Sequence, residues 1–160
     1  MVGSPYVIEY ARRFSFPVPP QEVWSTVEHC ECFEAWWGWL SELRVEGPGL
    51  VAGSVLHGVV APPLPYRMRL RVVLVACDPP RSIDVSVHGD LVGHARLVLE
   101  PEGDGTRASV AWTIEMMQRP MRVAARVASP VLRWGHERVV DATVAGFRRH
   151  LGDRARGPDQ

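Results

Sequence analysis

Residues Met121 to Leu151 read MRVAARVASPVLRWGHERVVDATVAGFRRHL. At 3.6 residues per turn the second half gathers Leu132, His136, Val139, Val140, Thr143, Phe147 and Leu151 on one face. Arg133, Arg138, Asp141, Arg148 and Arg149 fall elsewhere, so this is an amphipathic helix with one face to bury. Pro130 removes a backbone donor inside the stretch, which predicts a short leading segment and then a main helix from about Val131 to Leu151. Gly152 to Gln160 (GDRARGPDQ) reads as a disordered tail, leaving residues 1–151 as one domain.

Nearly everything upstream has the rhythm of strands. Tyr6, Ile8, Tyr10, Arg12, Phe14 and Phe16 alternate with Val7, Glu9, Ala11, Arg13 and Ser15, giving a first strand with an aromatic face. Pro17, Pro19 and Pro20 stop it. Gln21–His29 then reads as a short helix, and Cys32–Leu40, with Trp36, Trp37 and Trp39, as a second short helical or irregular piece. About six further strands follow. Tyr66, Met68, Leu70, Val72, Leu74 and Ala76 share one face opposite Arg67, Arg69 and Arg71. Val110, Trp112, Ile114 and Met116 share another. The expected class is α+β, with a curved antiparallel sheet of about six to seven strands around the long C-terminal helix.

Composition narrows the function classes. A chain of 160 residues is long enough for one well-buried core. Eighteen basic and eighteen acidic side chains balance, which argues against nucleic acid as the main partner. All eighteen basic residues are arginine, so lysine nucleophiles and Schiff bases are excluded. No apolar run is long enough for a transmembrane helix and the N-terminus has no signal-peptide pattern, so no stable membrane insertion and a cytoplasmic location are expected. Cys30, Cys32 and Cys77 form no disulfide framework. His29-Cys30-Glu31-Cys32 lacks the second half of a tetrahedral site, so no metal is expected there, and no cofactor is expected elsewhere in the chain.

The element order and several motifs resemble the START/birch-pollen-allergen-like (SRPBCC) superfamily, and within it the bacterial polyketide cyclase/dehydrase-like branch. The carrying residues are Phe16-Pro17-Val18-Pro19-Pro20-Gln21-Glu22-Val23-Trp24, Glu34-Ala35-Trp36-Trp37, Gly89-Asp90-Leu91-Val92-Gly93 and Pro130-Val131-Leu132-Arg133-Trp134-Gly135-His136. The resemblance implies a helix-grip fold with a cavity between sheet and C-terminal helix that takes a hydrophobic small molecule, aromatic, polyketide-like or lipid. In that architecture the expected lining is Tyr10, Phe14, His57, Tyr66, Met68, Leu70, Trp112, Ile114, Met116, His136, Val140 and Phe147. The alternative is that these side chains simply fill a packed interior.

His136 is the one polar residue on the helix stripe with acid–base chemistry. It either serves a ligand as hydrogen-bonding group or proton carrier, or it is a structural histidine satisfied by a neighbour. Two functions follow: a carrier of hydrophobic molecules, or an aromatase/cyclase or dehydratase with His136 as acid/base, helped by Tyr66 or His57. A third is an interaction module using the outer arginine row. Either a monomer or a homodimer fits.

Overall fold

The computed structural model describes residues 6–63, 67–127 and 129–156. Its strands are β1 (Val7–Phe16), β2 (Leu40–Glu46), β3 (Val55–Val60), β4 (Met68–Asp78), β5 (Ser82–Gly89), β6 (Leu91–Glu102) and β7 (Gly105–Met116). They form one antiparallel sheet in the order β1-β7-β6-β5-β4-β3-β2. Consecutive hairpins account for β2 through β7, while β1 pairs with β7, so the N-terminal strand closes against the C-terminal one. The chain crosses from one sheet edge to the other through α1 (Pro20–Val27), a 3-10 turn (Cys30–Cys32) and α2 (Phe33–Trp36). This is the expected helix-grip architecture.

Pro20 opens α1, where its missing N–H is no loss. Trp24 and Val23 are buried, and the Trp24 indole donates to Glu28 at 2.8 Å. The C-terminal stretch divides as Pro130 predicts: α3 (Arg119–Val127) is followed by α4 (Ser129–Arg156), with Pro130 in the first turn of α4. The helix continues five residues past Leu151, so the backbone of 152–156, expected as tail, is helical. Residues 157–160 lie outside the described residues.

Register fixes which side chains face α4. The rows Val87–Gly93–Ile114–Ile8 and Val85–Ala95–Trp112–Tyr10 run across β5, β6, β7 and β1 on the inner face, with Leu97–Val110–Arg12 next. At one end of the inner face Phe16, Trp24, Phe33, Leu74, Ile83, Leu99, Phe147 and Leu151 form a buried cluster. At the other end Met68, Val87, Leu91, Ile114, Met116, Met121, Ala125 and Leu132 form a second.

Two details depart from simple alternation. The β4–β5 register shifts between Leu74 and Ala76, so two outward residues, Val75 and Ala76, separate inward Leu74 from inward Cys77. Ala76 therefore leaves the face it was expected to share with Leu74. At Gly93 a Cβ would collide with the Thr113 carbonyl of the neighbouring strand, so only glycine permits this backbone approach.

The tryptophans of the α2 region anchor α4 rather than stand free. The Trp37 indole donates to the Thr143 carbonyl at 2.9 Å, and the Trp36 ring lies 4.4 Å from His150 and 6.1 Å from Phe147. Gly146 makes this contact possible, since a Cβ there would fall 2.5 Å from the Trp36 carbonyl oxygen.

Candidate ligand-binding site

The middle of the inner face differs from its ends. Tyr10, Val85, Ala95, Leu97, Val110 and Trp112 point toward α4 yet are only half-buried, and Val85, Leu97 and Trp112 pack against the edges of the two clusters, whose centres at Leu74, Leu99, Met116 and Met121 are closed off. Side chains there are also small on the central strand, Gly93 and Ala95 giving β6 little volume. Opposite this strip, α4 presents His136, Val139, Val140 and Thr143.

Three rings organise the strip. Tyr10 and Trp112, paired across β1 and β7, stack with centroids 4.6 Å apart at 22°. His136 descends from α4 and meets both edge-on, at 4.9 Å from Tyr10 and 5.4 Å from Trp112. The Trp112 indole N–H donates to His136 Nε2 at 3.1 Å. An indole nitrogen can only donate, so Nε2 accepts and the proton of the neutral ring sits on Nδ1. Burial pushes the His136 pKa below its ordinary 6.5, with the Glu137 charge opposing weakly, so the imidazole is held neutral. What remains for chemistry is one Nδ1–H donor. The basic lone pair is already engaged.

Beside the rings lies a polar clamp that sequence reasoning missed. Arg12 faces inward from β1; its Nη1 lies 3.3 Å from Glu137 and 3.4 Å from Asp141 on α4, and 3.3 Å from the Tyr10 hydroxyl. The guanidinium therefore fixes the Tyr10 hydroxyl as acceptor and ties β1 to the helix. The available signal was a lone arginine on an otherwise aromatic strand face, matched by carboxylates at i and i+4 on the helix.

The remaining candidates separate. Met68, Leu70, Ile114 and Met116 belong to the cluster under α3 and the start of α4. Phe14 and Phe147 belong to the opposite one, where Phe147 meets Phe16 edge-on at 5.3 Å. Val140 is buried on the α4 stripe between them. Tyr66 lies outside the described residues. His57 is not on this wall: it pairs in register with Arg71 and Arg44 on the outer face, its Nε2 3.1 Å from Glu46. The alternation of β3 puts Leu56, Gly58 and Val60 inward instead, and with valines on both faces the sequence pattern carried no sign of the choice.

Two depressions are present: one of about 520 Å³ is lined by Arg44, His57, Arg71 and His88 among others, and one of about 780 Å³ by Asp84, His94 and Arg96 together with Tyr10, Val85, Ala95 and Trp112 of the strip. Asp90 is a turn residue: its carboxylate accepts from the Arg69 N–H at 2.7 Å and its own N–H donates to the Arg69 carbonyl at 3.0 Å. Cys30 is buried in the core with its thiol pushed up to about 11 by desolvation, so it stays a protonated packing residue. No group of three metal-ligating side chains occurs among the described residues.

A curved sheet gripping one long helix, with half-buried rings between them, defines the class of helix-grip proteins. The family can be stated as well: residues 8–152 match the model of the polyketide cyclase/dehydrase and lipid transport family, and the chain belongs to it. Among solved structures it is similar to TTHA0849 from Thermus thermophilus, at 17% identity and a TM-score of 0.73 over 92% of this chain and 99% of that one. The di-domain ARO/CYC StfQ from the steffimycin biosynthetic pathway aligns at 12% identity and a TM-score of 0.74, over 94% of this chain and 52% of StfQ. Ara h 8.0201 aligns at 14% identity and 0.64, over 92% and 99%. At these identities the likeness is one of fold. No curated protein matches the sequence.

Proposed function

We propose that the chain binds a hydrophobic small molecule, aromatic or lipid-like, between the middle of the sheet and α4. The carrying observation is the half-burial of the contiguous inward strip Tyr10, Val85, Ala95, Leu97, Val110 and Trp112 between the two buried clusters. A filled core would bury these residues as fully as Leu74 or Met116. A mostly apolar space with few polar groups is the general form of a small-molecule site, and here those groups are the His136 Nδ1–H and the Tyr10 hydroxyl. Native mass spectrometry of the full chain with a panel of polycyclic aromatic and fatty-acyl compounds should show one ligand retained at one-to-one stoichiometry. Val85→Trp, which adds bulk to the strip, should abolish retention without unfolding the chain. Retention unaffected by that change places the ligand elsewhere and refutes the reading.

A second reading, an aromatase/cyclase or dehydratase, draws on the family description and on StfQ, itself described as an ARO/CYC protein. Under it His136 acts through Nδ1–H as a donor to a substrate carbonyl, since Nε2 is held by Trp112. His136→Phe should then abolish turnover of a poly-β-ketone thioester analogue while the fold persists. Under the carrier reading the same change weakens a carbonyl-bearing ligand by about tenfold, the worth of one hydrogen bond.

A further inference from the structure

We propose that the exposed apolar residues of α3 and of the first turns of α4 form a docking surface for anionic lipid bilayers. Exposed apolar side chains scattered singly on a surface have no significance, but clustered ones do. Of eight large hydrophobic residues exposed among those described, five fall between 117 and 134: Met117, Val123, Val127, Val131 and Trp134. Val127 is 80% exposed and Trp134 52%. α3 already has a buried apolar face, since Met121 and Ala125 seat it on the sheet. Val123 and Val127, 62% and 80% exposed, thus form a second apolar face that no described residue covers. On α4, Val131 and Trp134 lie about one turn apart, and both are exposed.

Charge narrows the occupant. Residues 119–138 hold five arginines and one acid, in a chain with eighteen charges of each sign. Glu115 engages Arg122, and Arg126 lies over the Tyr6 ring; Arg119, Arg133 and Arg138 have no acidic partner among the described residues. Glu137, the one acid, is engaged by Arg12. An apolar stripe with a tryptophan, flanked by unpaired arginines, is the composition that settles at the boundary between anionic headgroups and acyl chains. A second copy fits less well, because a two-fold contact would set this cationic patch against itself. A nucleic acid would leave the valines and Trp134 facing phosphates.

This surface is separate from the cavity, so blocking the cavity leaves docking intact. The full chain should co-sediment with vesicles of phosphatidylcholine containing about one third phosphatidylglycerol, weakly or not at all with pure phosphatidylcholine, and less as salt rises. Val127→Glu and, separately, Arg133→Glu should each lower the bound fraction roughly tenfold or more, with unchanged melting temperature since both residues are exposed. Val85→Trp should bind vesicles like the parent, which separates failure of docking from failure of the ligand site. Absence of binding to the anionic vesicles, equal binding to both compositions, or variants that bind like the parent would each overturn the proposal. So would a concentration-dependent dimer in sedimentation velocity that Val127→Glu abolishes, which would assign the patch to a second copy.

Discussion

Phe147 and His136 stand about three turns apart on α4, both on the stripe turned to the sheet, and they meet different surroundings. Phe147 enters a closed aromatic cluster of Phe16, Trp36 and their neighbours, where the helix is held by ring packing and by the Trp37 indole on the Thr143 carbonyl. His136 meets two rings that are only half-buried, and its link to the sheet is a single hydrogen bond from Trp112. One helix thus meets the sheet in two ways: through closed ring packing around Phe147, and around His136 through half-buried rings and the Arg12 clamp on Glu137 and Asp141.

The largest expected effect tests the closed end. Phe147→Ala should cost about 3–5 kcal/mol in denaturant unfolding, the usual range for a buried phenylalanine. Trp112→Phe, which deletes the donor to His136, should cost only roughly 1 kcal/mol, and ligand retention should change more than stability does. If the two substitutions cost the same, the contrast between the two halves of α4 disappears.

Titration sharpens the same contrast. Burial holds His136 below 6.5 in the folded state, so folding excludes a proton that the unfolded chain binds. The stability this contributes is complete above the unfolded pKa near 6.5 and is lost as pH falls from there toward the depressed folded value. Denaturant midpoints measured across that window should fall less in His136→Gln than in the parent; identical profiles would mean that His136 is not protected from protonation. Smallest of all should be Arg12→Ala. Arg12 and its two carboxylate partners are close to half exposed, so solvent screens the pairs and the denaturant midpoint should barely move.

Much of this arrangement was legible in the residues. The 3.6 rhythm of Leu132, His136, Val140 and Phe147 and the twofold rhythm of β7 follow from burial on one face, and burial is what periodicity records. Pro130 announced the break before α4 because a missing N–H is a local fact. His57 was illegible for a physical reason: β3 has valines on both faces, and only pairing with Arg71 decides which way the imidazole turns. Arg12 was hidden by the opposite problem, a charge on a face otherwise aromatic, whose partners lie on an element distant in sequence. The exposed valines of α3 were invisible as such, since an apolar residue in a helix carries no mark of which face its helix will bury.

The bulge in β4 has a consequence for insertions and deletions. A strand keeps faces by parity: removing one residue sends every later side chain to the wrong side. At Val75 the parity is already spent, because Val75 and Ala76 both point outward between Leu74 and Cys77. Deleting Val75 alone would leave Leu74 in, Ala76 out and Cys77 in, an unbroken alternation. That deletion would keep the cysteine in the core and remove only the local bend, a length change that elsewhere in β4 would reverse the faces of the strand.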